Sequence, residues 1–148
     1  MKRKNFMLTE HFSYYDMTRS PWAERNHRDN TPDSLQTAAL ENLARQLLEP
    51  LYAHVGPVSL RGAFYSPTVA VAMREPGGSR HLTGEAVDLT APDVETLRQY
   101  YRFIVANVNY DQVFYEYRHT GDTWLHCSLC LDDRQNRHQA FPNYRQNH

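Results

Sequence analysis

Residues 79–89 read SRHLTGEAVDL, a polar loop that leads directly into a short apolar run. The run from Glu85 to Thr90 alternates in the way that predicts a β-strand. His81 lies near the start of the stretch and Asp88 near its end, and both residue types are good ligands for a hard or borderline divalent metal. Residue type alone makes neither a ligand, so the rest of the chain must supply a third ligand and a base.

The composition predicts one domain with a modest core, spanning residues 1–148. Hydrophobic residues make up 41% of the chain and charged residues 22%, which argues against disorder and against a membrane protein. The net charge of −1 gives no general reason to expect nucleic-acid binding. Two cysteines, Cys127 and Cys130, cannot build a disulfide framework, and we expect both to be small buried hydrophobes.

The chain starts with a basic segment, residues 1–5, that no apolar run follows. This pattern is not that of a signal peptide, and no later stretch is apolar enough to span a bilayer. We therefore expect a cytoplasmic location at synthesis and no membrane partner.

Helix signals dominate the first third of the chain. Ser13 and Asp16 resemble a capping arrangement and predict a short helix over residues 14–18. The sequence TPD at residues 31–33 predicts the start of a longer helix, which stops or kinks near Pro50 and ends by Gly56. Between them, the polar residues 20–30 contain a proline and are interpreted as a loop.

Strand signals follow, interrupted by one more helix from about Pro92. Strands are predicted over residues 57–64, 85–90, 112–117 and 123–129, the last two joined by a turn. Helices that precede and interrupt short strands favour an α+β fold with a small, mostly antiparallel sheet and packed helices. We expect the core to span about residues 8–130 and residues 131–148 to form a polar tail that wraps the surface or frays.

Two strand positions complete a possible metal site. On a strand, alternate side chains share a face, so Trp124 and His126 would point the same way. A hairpin turn between the last two strands could bring Glu116 beside His126. His81, Asp88 and His126 would then be three ligands, with Glu116 as a nearby carboxylate.

Three protein ligands with an open fourth position are typical of a catalytic zinc. Such a metal lowers the pKa of its water to roughly 7, so that a neighbouring Glu can accept the proton. By spacing alone, the more common interpretation is that these histidines are ordinary packing or surface residues.

The motif as a whole resembles a known family. S-x-H-x-x-G-x-A-x-D at residues 79–88, then Glu116 and W-x-H at residues 124–126, is similar to the zinc-dependent D-Ala-D-Ala carboxypeptidase and L-alanyl-D-glutamate endopeptidase family. Residues 8–12, 30–32 and 48–51 resemble the opening and first long helix of its phage endolysin members. The resemblance covers about residues 8–130.

The resemblance implies a Hedgehog-type α+β fold in which His81, Asp88 and His126 bind Zn²⁺ and Glu116 is the general base. Substrates would be peptidoglycan stem peptides, and Ser79 would lie near the metal loop. A monomeric hydrolase is expected that degrades the cell wall after release by lysis or from a phage particle.

One segment departs from the family pattern. Where the family usually has Ser-Gly-Tyr-Arg-Ser, this chain has GAFYS at residues 62–66, so Tyr65 replaces an arginine that binds substrate. Tyrosine donates one hydrogen bond and brings no charge. Arg61 or Arg80 could replace the missing cation, and we expect substrate contacts from Tyr65, Ser79 and Trp124 as well. The departure leaves an alternative open, a weak or inactive member that uses zinc for binding or structure.

Overall fold

A five-stranded sheet carries the fold in the computed structural model, which describes residues 5–146 and, of residues 143–146, the backbone only. The strands follow the order β1-β2-β4-β3-β5, all pairs being antiparallel except β3 and β5. Their bounds are Ser59–Gly62 (β1), Ala86–Thr90 (β2), Gln112–Tyr117 (β3), Thr123–Ser128 (β4) and Gln139–Gln146 (β5). The prediction of an α+β fold with a mostly antiparallel sheet is confirmed.

Six α-helices surround this sheet within the described residues. They are Tyr14–Thr18 (α1), Pro21–Arg25 (α2), Ser34–Leu43 (α3), Glu49–Val55 (α4), Pro67–Ala72 (α5) and Val94–Asn107 (α6). Short 3-10 turns lie at Arg80–Thr83 and Asp133–Gln135. In the described part of the chain, none of the helices is long and apolar enough to cross a membrane.

The long helix accommodates a proline by changing its winding. A π-helical segment, Ala44–Leu48, joins α3 to α4, and the Glu49 N–H donates to the carbonyl of Ala44, five residues back. Pro50 has no N–H to donate and its ring crowds the preceding turn, so a wider turn is the local solution. The helix ends at Gly56, whose φ of 83° suits glycine. Its first helical residue is Ser34, directly after the TPD segment that predicted its start, because Asp33 is the capping residue.

Two predictions were wrong. Residues 20–30 are not all loop, because Ser20 caps α2 through the Ala23 N–H and Pro21 occupies its first turn. Proline is favoured at that position, since the first helical N–H groups have no partner to lose.

The predicted polar tail contains strand β5, which pairs in parallel with β3. Main-chain hydrogen bonds hold an edge strand whatever its polarity, and Arg137 fastens the segment by a bidentate pair with buried Asp111 at 2.8 Å.

The core lies between the sheet and the helices α3, α4 and α6, and it is dominated by leucines. Cys127 and Cys130 are both buried and free, as predicted. The opposite face of β2, β3 and β4 carries the polar side chains described next.

Candidate metal centre

Strand register brings the predicted ligands together. Asp88 on β2 lies directly opposite His126 on β4. On the other side of β4, the neighbour of His126 is Phe114 and the neighbour of Trp124 is Glu116, both on β3. The alternation of side chains along these strands places all the functional groups on one face.

The third ligand enters from the 3-10 turn that precedes β2. His81 lies in this turn, which ends at Gly84 with a left-handed φ of 78°. A β-carbon at Gly84 would stand 2.5 Å from the carbonyl oxygen of Gln36, so only glycine permits this approach of loop to helix. The sharp turn returns the chain so that His81 faces Asp88.

His81, Asp88 and His126 form a possible metal-binding group. Their ligand atoms all lie within 4.8 Å of one another. Oδ1 of Asp88 is 3.2 Å from Nε2 of His81 and 2.9 Å from Nδ1 of His126. All three residues are buried, so water competes little for their lone pairs.

The environment of His81 fits a ligand. Its Nδ1–H donates to the Ala63 carbonyl at 2.5 Å, and because a carbonyl only accepts, Nδ1 must carry the proton. Nε2 is buried and has no aligned hydrogen-bond partner among the described residues, despite its closeness to Asp88. Donation of one ring N–H to a backbone carbonyl is the usual arrangement of a metal-ligating histidine, and it leaves Nε2 as the nitrogen that can ligate once it is deprotonated.

Charge coupling within the group is strong. Burial alone would lower the pKa of His81, but the Asp88 carboxylate outweighs it and raises that pKa to about 9. Burial likewise opposes ionisation of Asp88, yet the two histidines hold its pKa well below the usual range. Without metal, a protonated His81 balances the buried carboxylate at neutral pH.

Glu116 lies next to the group and outside it. Its Oε1 is 3.9 Å from Nδ1 of His126, and its side chain is 14% exposed. At this separation, the carboxylate can reach a water molecule near the ligands without displacing a ligand. The prediction that the hairpin brings Glu116 beside His126 is confirmed.

Aromatic rings support both histidines. Tyr65 stacks on His81 and Phe114 stacks on His126, each with ring centroids 4.5 Å apart. Phe114 was not predicted to take part, although its alternation with Glu116 on β3 could have indicated it. The rings restrict the orientations of the two imidazoles.

The residues that were predicted to bind substrate have different surroundings in the structure. The ring of Tyr65 is buried against His81, and a β-carbon at Gly62 would overlap its hydroxyl. Burial and the nearby Asp88 carboxylate raise the pKa of Tyr65, so it stays a neutral donor. Arg61 lies over Trp124, its guanidinium carbon 4.0 Å from the ring centroid.

Arg80 and Ser79 face other partners. The Arg80 guanidinium lies 3.6 Å from Glu85 and 3.5 Å from Asp111, so two carboxylates already balance its charge. Ser79 donates to Glu75 at 2.8 Å and accepts from the His81 N–H at 3.2 Å. Ser79 thus orders the loop that carries His81, and Arg61 has fewer competing partners than Arg80.

A second group with ligand-type side chains lies on the surface. Glu10, His11 and Glu49 also bring their ligand atoms within 4.8 Å of one another. Their surroundings differ from those of the buried group and provide a natural control.

No known family model matches the chain, and no curated protein is significantly similar to it in sequence. Any function must therefore be argued from the residues and the geometry of the site.

Proposed function

We propose that this protein is a zinc-dependent peptidase that hydrolyses amide bonds in peptidoglycan stem peptides, of the D,D-carboxypeptidase or L-Ala-D-Glu endopeptidase type. The observation that supports this most is the buried group of His81, Asp88 and His126 with the carboxylate of Glu116 3.9 Å from the last ligand. The substrate class rests on the motif resemblance, and the protein would act as a monomer on cell walls reached by lysis or from a phage particle.

Zinc suits the donor set of two imidazoles and one carboxylate. His81 would ligate through Nε2, since its Nδ1 is occupied by the Ala63 carbonyl. His126 would use Nδ1, the nitrogen that faces Asp88. When bound, zinc lowers the pKa of water and polarises the scissile carbonyl.

Glu116 would move the proton. Its Oε1 accepts a proton from the attacking water and then delivers it to the nitrogen of the departing amine. Partial burial on β3 keeps this carboxylate in one place, so little reorganisation is needed during the reaction.

The test is Glu116→Gln, which keeps the size of the side chain and removes the base. We expect one zinc per chain in both proteins by elemental analysis, and a loss of muropeptide cleavage by about 10²- to 10⁴-fold in the variant. Glu41→Gln, a surface carboxylate paired with Arg45, is the matched control and should cleave like the natural chain. Equal cleavage by the Glu116 variant would remove that residue as base.

A second candidate is favoured by Tyr65, which stands where the family has a substrate-binding arginine. The protein would then be a weak or inactive member that uses zinc for binding or structure. Defined muropeptides distinguish the two functions: a zinc-loaded chain that releases no new amines supports this second candidate, and new amines support the peptidase.

A further inference from the structure

An arginine-lined pocket lies beside the metal-binding group. It encloses about 360 Å³ between α2, β1, α5 and the turn after β3. We call it the arginine pocket; its main lining residues are Arg19, Arg25, Arg61, Arg118, Trp22 and Tyr65.

The charges in the arginine pocket are unbalanced. Four guanidinium groups line it, and no carboxylate is among the lining residues. None of the four forms an ion pair with any carboxylate in the part of the chain whose side chains are described, unlike Arg80 or Arg137. Four guanidinium groups with no carboxylate among the lining residues make the lining positive and favour an anion, although the carboxylates of Asp88, Glu75 and Glu116 act against them at Tyr65.

Two of the four guanidinium groups are also oriented. Arg61 lies 4.0 Å and Arg118 5.8 Å from the ring centroid of Trp124, one indole that holds two cations. Stacking on an aromatic face limits the rotamers of an arginine but leaves its N–H groups free at the edge. Such donors can bind a carboxylate with little further loss of entropy.

The pocket is connected to the candidate reacting groups through the lining residue Tyr65 and through Trp124, which lies under the lining residue Arg61. Tyr65 lines the arginine pocket on one side and stacks on His81 on the other. Trp124, beneath Arg61, is the cross-strand neighbour of Glu116. A ligand held in the pocket would therefore extend toward the bond to be cleaved.

We propose that the arginine pocket selects acidic peptides, that is, substrates with at least two carboxylates close to the cleaved amide. This rests on the proposed function and specifies its substrate. One carboxylate would engage Arg61 and Arg118 over Trp124. A second would engage Arg19 and Arg25, which come from a different part of the chain.

The experiment compares three forms of one stem peptide: all carboxylates free, one amidated, and all amidated. Binding is measured by calorimetry on zinc-loaded Glu116→Gln protein, so that no turnover is needed, and cleavage is measured on the natural chain. The test variant is Arg25→Gln/Arg61→Gln. The control is Arg98→Gln/Arg102→Gln, which removes two exposed arginines of α6. Circular dichroism and zinc content establish that each variant is folded.

We expect full amidation to weaken binding by at least about tenfold, because charge-assisted hydrogen bonds are lost. The peptide with one amidated carboxylate should bind with an affinity between those of the other two forms. In Arg25→Gln/Arg61→Gln, this preference should fall below about threefold, and the control should keep it. Inorganic phosphate, added as competitor, should displace the free peptide only weakly; displacement at equal concentration would identify a phosphate site and overturn the proposal.

Failure of this inference and failure of the peptidase function give different results. Cleavage that is indifferent to amidation overturns the inference and leaves the peptidase intact. Charge-dependent binding without any cleavage supports the pocket and removes the peptidase. The test does not depend on the folding of the Arg25→Gln/Arg61→Gln variant. Equal binding of free and amidated peptide to the Glu116→Gln protein, which keeps both arginines, overturns the inference by itself.

Discussion

The group of His81, Asp88 and His126 and the group of Glu10, His11 and Glu49 each combine imidazole and carboxylate ligands whose atoms lie within 4.8 Å of one another, yet their surroundings differ. In the first, the side chains are 0%, 4% and 9% exposed. In the second, Glu10 is 82% exposed and His11 33%. The ligand atoms are therefore close together in both groups, but only the first group is buried.

The two groups differ further in how their lone pairs are used. Both oxygens of Glu49 are engaged, one by the Thr9 hydroxyl and the His11 N–H, the other by the His11 ring. The ring of His11 also stacks on Tyr52. In the buried group, Nε2 of His81 lacks an aligned partner among the described residues. A satisfied cluster fastens the chain to itself, whereas an unsatisfied buried one is arranged for a ligand.

The largest expected contrast is in zinc affinity. Asp88→Asn replaces the central carboxylate by an amide of the same shape, which is a poor zinc ligand. We expect an affinity loss of at least about a hundredfold, beyond the 10- to 100-fold cost of losing an outer partner. Competition with a chromogenic chelator measures it.

Glu49→Gln is the matched change in the exposed group, and it should leave zinc affinity unchanged. Circular dichroism of both variants excludes unfolding as the cause. A comparable loss of zinc affinity in the Glu49 variant would show that zinc binds the exposed group of Glu10, His11 and Glu49.

The next contrast is the pH dependence of zinc binding. Without metal, His81 has a pKa of about 9 and is protonated at neutral pH, but a ligating imidazole must be neutral. Apparent affinity should therefore rise by about tenfold per pH unit between pH 6 and pH 8, and weaken as pH falls. Titration with zinc at three pH values tests this. A flat profile would show that zinc binding does not displace a proton from His81.

The smallest effect is on stability. The pKa of Glu49 is lowered: burial acts against this, but hydrogen bonds from His11 and Thr9 outweigh it. A depressed folded pKa stabilises the fold above the unfolded value and loses that contribution as pH falls. Glu49→Gln should lower the free energy of unfolding at pH 7 by about 1 kcal/mol.

Urea denaturation of Glu49→Gln at pH 7 and pH 4 measures that loss, with Glu41→Gln as the exposed control. The difference between the Glu49 variant and the natural chain should shrink at pH 4. A difference that grows on acidification would contradict the role assigned to the carboxylate.

Much of the sheet and of the metal-binding group was predictable from the sequence. The strands over residues 112–117 and 123–129 alternate clearly, and a short turn between them leaves little choice of register. That register alone brings Glu116 beside His126. The helix over residues 14–18 was also predictable, because its capping residues are local.

Two elements were not predictable because their stabilisation is not local. Strand β5 is polar and depends on pairing with β3 and on the contact between Arg137 and Asp111, 26 residues apart. Helix α2 is only five residues long, and its proline was interpreted as a break when it occupies the first turn. Neither case has the periodic apolar pattern on which sequence interpretation relies.

The sequence by itself determined the residue types of the possible metal ligands, their order and their strand parity, because these follow from local spacing and the alternation of a strand. The tertiary structure decided which histidine nitrogen can ligate a metal and where the arginine side chains come together. Ala63, 18 residues away, accepts from Nδ1 of His81, so Nε2, which has no aligned partner among the described residues, is the nitrogen that can ligate. The arginine pocket forms because residues from 19 to 118 meet only when the chain is packed.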